Sequence, residues 1–196
     1  TSHPEHLVVT KQVVKIEQSW LQFQPRPYTY NQGNPIKNPF VPFADFDYST
    51  VLVTRDEIMQ VNPHRHEMML LDGVLFISDT NAVGFLDVTE DMFWVRGHFP
   101  GRPLMPGVLI CESAAQLSSY FAMKIGLVTS GVVGLGGLES IRFRNPVLPG
   151  DRLTLMLQKG KARPNAMFKA DFQGYVDEKL VVDGTIKGVA LGEGNV

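Results

Sequence analysis

The spacing of apolar and polar positions changes character several times along the chain, and each change predicts an element. Val13, Ile16 and Trp20 recur at helical spacing in a short segment near the start. Thr54-Arg55-Asp56-Glu57 has the form of a capping box, opening a short helix through Ile58 and Val61 that Asn62-Pro63 stops. Two apolar runs follow, Met68 to Ile77 and Ala82 to Val88, with Ser78-Asp79-Thr80-Asn81 as the turn of a hairpin. Pro106-Gly107 then starts one long helical stretch that ends near Gly126, with the proline expected at the first helical position. Beyond it only strands are expected. Ile141 and Phe143 alternate with Arg142 and Arg144, Leu153, Leu155 and Leu157 alternate with polar residues, and runs at Phe168 to Val176 and Leu180 to Leu191 follow. One buried helix with a mostly antiparallel sheet of five to six strands is an α+β fold.

The first fifty residues differ from the rest. Six of the 13 prolines fall there, and between Pro25 and Phe46 they are mixed with Tyr28, Tyr30, Phe40, Phe43 and Phe46. Proline removes ladder donors, while aromatic rings need apolar surface to cover. The expected division is therefore a wrapping N-terminal extension over 1–50 and one folded body over 51–196, without internal repeats.

Composition narrows the function. Hydrophobic residues make up 44% and charged residues 19%, which suits a packed core. With 18 Lys+Arg against 20 Asp+Glu the net charge is −2, which argues against holding nucleic acid by bulk charge. The single cysteine, Cys111, excludes an intrachain disulfide or a multi-cysteine metal site. The longest uncharged stretch, Ile125 to Leu138, is interrupted by five glycines, so no membrane-spanning helix is expected. Glu5, Lys11, Lys15 and Glu17 stand where an export signal would be apolar, and a cytoplasmic protein is expected.

The long helix carries the first chemical signal. Gly107 to Met123 contains one charged residue, Glu112. A helix uncharged on every side is a buried helix. The positions three and four residues away hold Val108, Leu109, Ala115 and Gln116, none of which can neutralise a carboxylate, although Gln116 can hydrogen-bond and orient it. Desolvation is thus expected to raise the Glu112 pKa toward that of a general acid working near neutrality. A core glutamate paired to a distant arginine is the structural alternative.

The second signal lies just upstream. His98 begins a loop, Gly97 to Gly107, stiffened by prolines and glycines, fourteen residues before Glu112. An imidazole locked in such a loop is a candidate base. The amides of Gly107 and Val108 stand at the positive end of the helix, a candidate oxyanion site.

Gly97-His98-Phe99-Pro100, then Pro103, Met105-Pro106-Gly107-Val108-Leu109, Glu112 and Ala115-Gln116, resembles the signature of the (3R)-3-hydroxyacyl-[acyl-carrier-protein] dehydratases of fatty-acid synthesis. Pro63-His64-Arg65 with Leu70-Leu71-Asp72 resembles that family's opening motif, and Arg142 to Asp151 its strand–turn motif. The resemblance runs from about Ile58 to Ala190. It implies a hotdog fold, a curled antiparallel sheet around a central helix, in a cofactor-free homodimer. It implies His98 as base and Glu112, given across the dimer interface, as acid. Gln116 would position that acid, and Gly107 would bind the thioester carbonyl. The implied reaction takes water from a (3R)-3-hydroxyacyl chain on phosphopantetheine-linked acyl carrier protein and leaves the trans-2-enoyl thioester. Three features depart from the family pattern: the extension, His66-Glu67-Met68-Met69 with Gly73 in the opening motif, and Phe93-Trp94-Val95-Arg96 ahead of the histidine loop.

Other signals weigh less. His64-Arg65-His66-Glu67, read as an extended stretch, would point successive residues to opposite faces, so no metal is expected. Cys111 reads as a buried inert thiol, and Gly134-Leu135-Gly136-Gly137 as glycines of a close-packed strand. Arg96, Arg102, Arg142 and Arg144 are candidates to meet an acidic carrier or a phosphopantetheine phosphate. A non-catalytic acyl-binding module and a hotdog thioesterase are the alternative functions.

Overall fold

The computed structural model describes residues 38–192. The helical reading around Val13 to Trp20 and the extension before Asn38 lie outside the described residues. The chain forms β1 (Val53–Thr54), α1 (Arg55–Val61), β2 (Gly73–Ile77), β3 (Asn81–Asp87), α2 (Gly107–Lys124), β4 (Val132–Phe143), β5 (Arg152–Arg163), β6 (Met167–Val176) and β7 (Lys179–Leu191). All seven strands join one sheet in the order β1-β2-β3-β5-β6-β7-β4, with every pairing antiparallel. This is the expected α+β hotdog architecture with one strand more than the sequence suggested. The extra one, β1, is two residues long and pairs with β2 through Val53 and Val74.

The capping box closes as predicted. The Glu57 amide donates to Thr54 Oγ1 at 3.4 Å, and Thr54 N–H returns a bond to the Glu57 carboxylate at 2.8 Å. At the start of α2 the geometry differs from expectation. Pro106 is the N-cap, not the first helical residue, and its carbonyl accepts from Leu109 and Ile110 at 2.9 and 3.2 Å.

Strand alternation divides the core in two. Leu153, Leu155 and Leu157 of β5 face α2 and join its Ile110, Ala114, Leu117 and Phe121. Met156 between them faces the opposite way, with Leu75, Val83, Phe85 and Tyr175. Residues 38–48 cover that second face. Val41 and Phe46 are buried there, Phe40 and Phe43 pack alongside, and Gln173 pins the backbone by accepting from Phe40 N–H at 3.0 Å and donating to Asn38 O at 3.2 Å.

The predicted strand from Met68 begins only at Gly73. Residues 66–68 form a single 3₁₀ turn, and the backbone after it is held by a side chain from α2 in place of a neighbouring strand. His64 to Glu67 is accordingly not an extended stretch, so the alternating-face argument applied to it in the sequence does not hold. Among the described residues, no three His, Cys, Asp or Glu side chains are grouped so as to hold a metal ion. At Gly73, an added Cβ would come within 2.8 Å of both the Phe85 ring and the Val51 side chain. Glycine at this position leaves room for the Phe85 ring and the Val51 side chain.

Candidate active site

His98 lies in the loop between β3 and α2, fixed by the backbone. Its N–H donates to Trp94 O at 2.8 Å and its carbonyl accepts from Leu104 N–H at 2.8 Å. Phe99 and Arg102 exchange two backbone bonds at 3.2 and 2.9 Å, which closes the turn around Gly101. The same loop is tied to the turn after β4 by Met105 N–H to Val147 O at 2.9 Å. The His98 ring stacks on Phe99 at 4.1 Å, and its Nδ1 is 2.7 Å from Leu104 O. A carbonyl oxygen only accepts, so Nδ1 must carry the hydrogen. In the neutral ring Nε2 then presents a lone pair, as a base requires.

Glu112 sits one turn into α2. Its Oε1 accepts from Gln116 Nε2 at 2.8 Å and faces His64 Nε2 at 3.2 Å. Gln116 is fully buried and uses its whole amide: Nε2 also donates to Met68 O at 2.6 Å, and Oε1 accepts from Leu70 N–H at 3.0 Å. The bond to Glu112 is the i+4 contact that the helix spacing allows. Gln116 also fastens the segment before β2 to the helix.

The expected rise in the Glu112 pKa is not what the chain produces. The hydrogen bond from His64 holds the carboxyl below its ordinary value; burial pulls upward but is outweighed, and Gln116 adds to the lowering. Neither an empty surrounding nor a distant arginine describes the site, because the partner is an imidazole 48 positions earlier in the sequence. In the sequence His64 stands out in a resembling motif and in a metal reading set aside, and no helical or strand spacing relates it to Glu112. Together they line a cavity of about 50 Å³ with Ser119, Val133 and Gly188.

The amides of Gly107 and Val108 precede the first intrahelical bonds, so the helix leaves both uncommitted. The ring of Phe143 lies directly on Gly107: a Cβ there would come within 2.6 Å of it. Only glycine allows that approach. Val108 points outward at 74% exposure.

The four arginines separate. Arg96 is exposed and Arg102 partly so, both in the loop of His98. Arg142 is exposed on β4 beside Asn38, Asp171 and Thr185. Arg144 is not a surface arginine: its Nε lies 2.5 Å from Asp183 Oδ1, with the side chains 10% and 5% exposed. A buried ion pair that loses one member leaves an uncompensated charge, so Arg144 is committed to the fold. Cys111 is buried on α2, and burial pushes its thiol up to about 11, as expected of an inert cysteine.

Residues 62–185, well over half of the chain, match the family model described as the FabA-like domain. The 3-hydroxyacyl-[acyl-carrier-protein] dehydratase FabZ of Sinorhizobium fredii is 38% identical over 143 residues, covering 71% of this chain and 92% of that one. The protein of the same name from Herpetosiphon aurantiacus is 37% identical over 136 residues, covering 69% and 92%. Among solved structures, the dehydratase heterocomplex ApeI:P from Xenorhabdus doucetiae superposes with a TM-score of 0.60 at 16% identity, covering 69% of this chain and 91% of that one. A sigma28-regulated virulence protein from Campylobacter jejuni superposes with a TM-score of 0.53 at 18% identity, covering 70% and 90%; likenesses this remote in sequence speak for the fold alone. A chain with this sheet and helix, this histidine loop and these relatives belongs to the FabA/FabZ-type dehydratase family.

Proposed function

We propose that the protein removes water from (3R)-3-hydroxyacyl thioesters borne on the phosphopantetheine arm of acyl carrier protein, giving the trans-2-enoyl thioester. The observation that carries this reading is the His98 tautomer, fixed by Leu104 O so that a lone pair is available at Nε2.

The C2 proton is weakly acidic and hydroxide is a poor leaving group, so the reaction needs a base, an acid and a site for developing charge on the thioester oxygen. His98 Nε2 takes the C2 proton. The C–H electron pair becomes the new double bond, the C3–O bond breaks, and the departing oxygen takes a proton from Glu112 to leave as water. The Gly107 amide, with Val108 beside it, stabilises enolate-like charge on the carbonyl oxygen. Arg96 and Arg102, in the loop of His98, suit the phosphate of the arm.

The acid and base belong to different subunits of a homodimer in this reading. Support comes from the residues around the Glu112 cavity, which include His64 and strands β4 and β7 but no member of the His98 loop. Val108 and the half-buried Glu112 and Ala115 form a stripe along one side of α2, and the terminal strand β4 exposes Leu135, Leu138 and Phe143. An apolar edge of that kind invites a second copy.

Conversion of hydroxyacyl to enoyl carrier by purified protein, followed by mass spectrometry, tests the reading. His98→Ala and Glu112→Gln are each expected to lower kcat by about 10²–10⁴-fold, the usual range for losing a general acid or base. Near-normal turnover in a folded variant removes that residue from its role. Release of free acid from the wild type would point to a thioesterase, and no reaction at any chain length to an acyl-binding module.

A further inference from the structure

We propose that His64 is a positioning residue for Glu112: it donates from Nε2 to Oε1 and thereby assigns Oε2 as the oxygen that delivers the proton. This rests on the reading of Glu112 as the acid and adds a group that the spacing of the helix and loop motifs does not include.

Geometry carries the assignment. His64 Nε2 is 3.2 Å from Glu112 Oε1, and both side chains are three-quarters buried. Among the described residues, His64 Nδ1 is buried without a hydrogen-bond partner. A buried N–H without an acceptor is among the rarest features of folded proteins, and a lone pair is better tolerated. The hydrogen of the neutral ring therefore sits on Nε2, aimed at the carboxylate. Gln116 Nε2 reaches the same oxygen at 2.8 Å. With two N–H groups converging on Oε1, a proton on that oxygen would meet hydrogens on two sides, so the carboxylic acid places its proton on Oε2.

The arrangement disfavours the protonated carboxyl that begins the step and favours the proton transfer once that form is reached. As the C3–O bond breaks, the proton passes from Oε2 to the departing oxygen and Glu112 becomes a carboxylate. Its negative charge develops on a group that already has two donors in place, with no reorganisation needed. Gln116 alone would supply one of them, because its other N–H and its oxygen are spent on Met68 and Leu70. The remaining charged groups near the pair are otherwise engaged. Lys187 of β7 lines the same cavity and is paired with Glu139. Arg65 gives its guanidinium to the carbonyls of Met59, Asn62 and His64 at 3.0, 2.8 and 2.7 Å.

The test compares His64→Ala with His64→Gln, whose side-chain amide can occupy the place of Nε2 with a donor that does not titrate. The first readout is the Glu112 titration, followed by NMR in full-length protein carrying carbon-13 at glutamate Cδ, with Glu112→Gln identifying the resonance. His64→Ala is expected to move that titration upward in pH, and His64→Gln to leave most of the shift in place. The second readout is kinetic: kcat is expected to fall about 10-fold in His64→Ala, with KM changed less than about threefold, and to recover in His64→Gln. A Glu112 titration that stays put in a folded His64→Ala variant overturns the proposal, as does a His64→Gln variant impaired as much as His64→Ala in both readouts. Should wild-type protein dehydrate nothing, the reading of Glu112 as acid fails, while the titration still decides whether His64 governs the carboxyl.

Discussion

The two faces of the sheet are covered by different means. Helix α2 buries eleven of its residues on one face, where Gln116 is tied to Met68, Leu70 and Glu112, and Asn62 Nδ2 to Gln116 O at 2.8 Å, although among the described residues Asn62 Oδ1, His64 Nδ1, Trp94 Nε1 and Ser119 Oγ are buried there without partners. On the other face residues 38–48 supply apolar contact, with Gln173 as their side-chain anchor, and Phe43 meets the Tyr175 ring edge-on at 5.2 Å. Among the described residues the Tyr175 hydroxyl beneath this cover has no partner. The helix side therefore combines packing with directional bonding around the groups that do chemistry. The outer side is packing, and its directional bonds mainly locate the strap.

Setting Glu112→Gln against Phe46→Ala gives the widest separation between the faces. Glu112→Gln is expected to cost the 10²–10⁴-fold in turnover given above while stability stays within about 1 kcal/mol, because the amide preserves the shape and an oxygen for His64. Phe46→Ala should do the reverse, losing about 3 kcal/mol by removal of a buried ring, with kcat unchanged. Urea unfolding and steady-state kinetics on both proteins measure the contrast. Turnover falling in step with stability in Phe46→Ala would merge the two faces into one functional unit.

A smaller effect separates them by pH. Burial raises the Cys111 thiol on the helix side from 9.0 to about 11. Between those values the unfolded chain has released a proton that the folded chain retains. Stability therefore falls as pH rises through that window. Cys111→Ala should flatten this part of the pH–stability curve, as read by urea unfolding near pH 9 and pH 11. The Tyr175 hydroxyl, pushed up to about 12 by burial, would add to the slope at the top of the window and keeps its contribution in the cysteine variant. An unaltered slope in Cys111→Ala would mean that the thiol meets water in the folded protein.

Tyr175→Phe is the mildest change. Removing a buried hydroxyl without a partner is expected to leave stability unchanged or raise it by about 1 kcal/mol, as thermal or urea unfolding will show. A loss of 1 kcal/mol or more would give the outer face a directional bond after all.

Local pattern determined much of this protein. The capping box, the hairpin turn, the buried helix and the long strands after it are all written in short spacings, because capping, alternation and helical period act over a few residues. The loop of prolines and glycines around His98 belongs with them, and so does the bond between Glu112 and Gln116, one helical turn apart. Tertiary structure decided what depends on distant segments meeting. Met68 to Asp72 reads as a strand by composition, yet the Met68 carbonyl and the Leu70 amide are taken by the Gln116 side chain, 46 residues beyond Leu70. Arg144 alternates like a surface residue until β7 brings Asp183 against it. The downward pull on the Glu112 carboxyl comes in the same way, from an imidazole whose approach no local period records. A hydrogen bond or an ion pair acts over a few ångströms of space, and only the folded chain determines which residues those ångströms join.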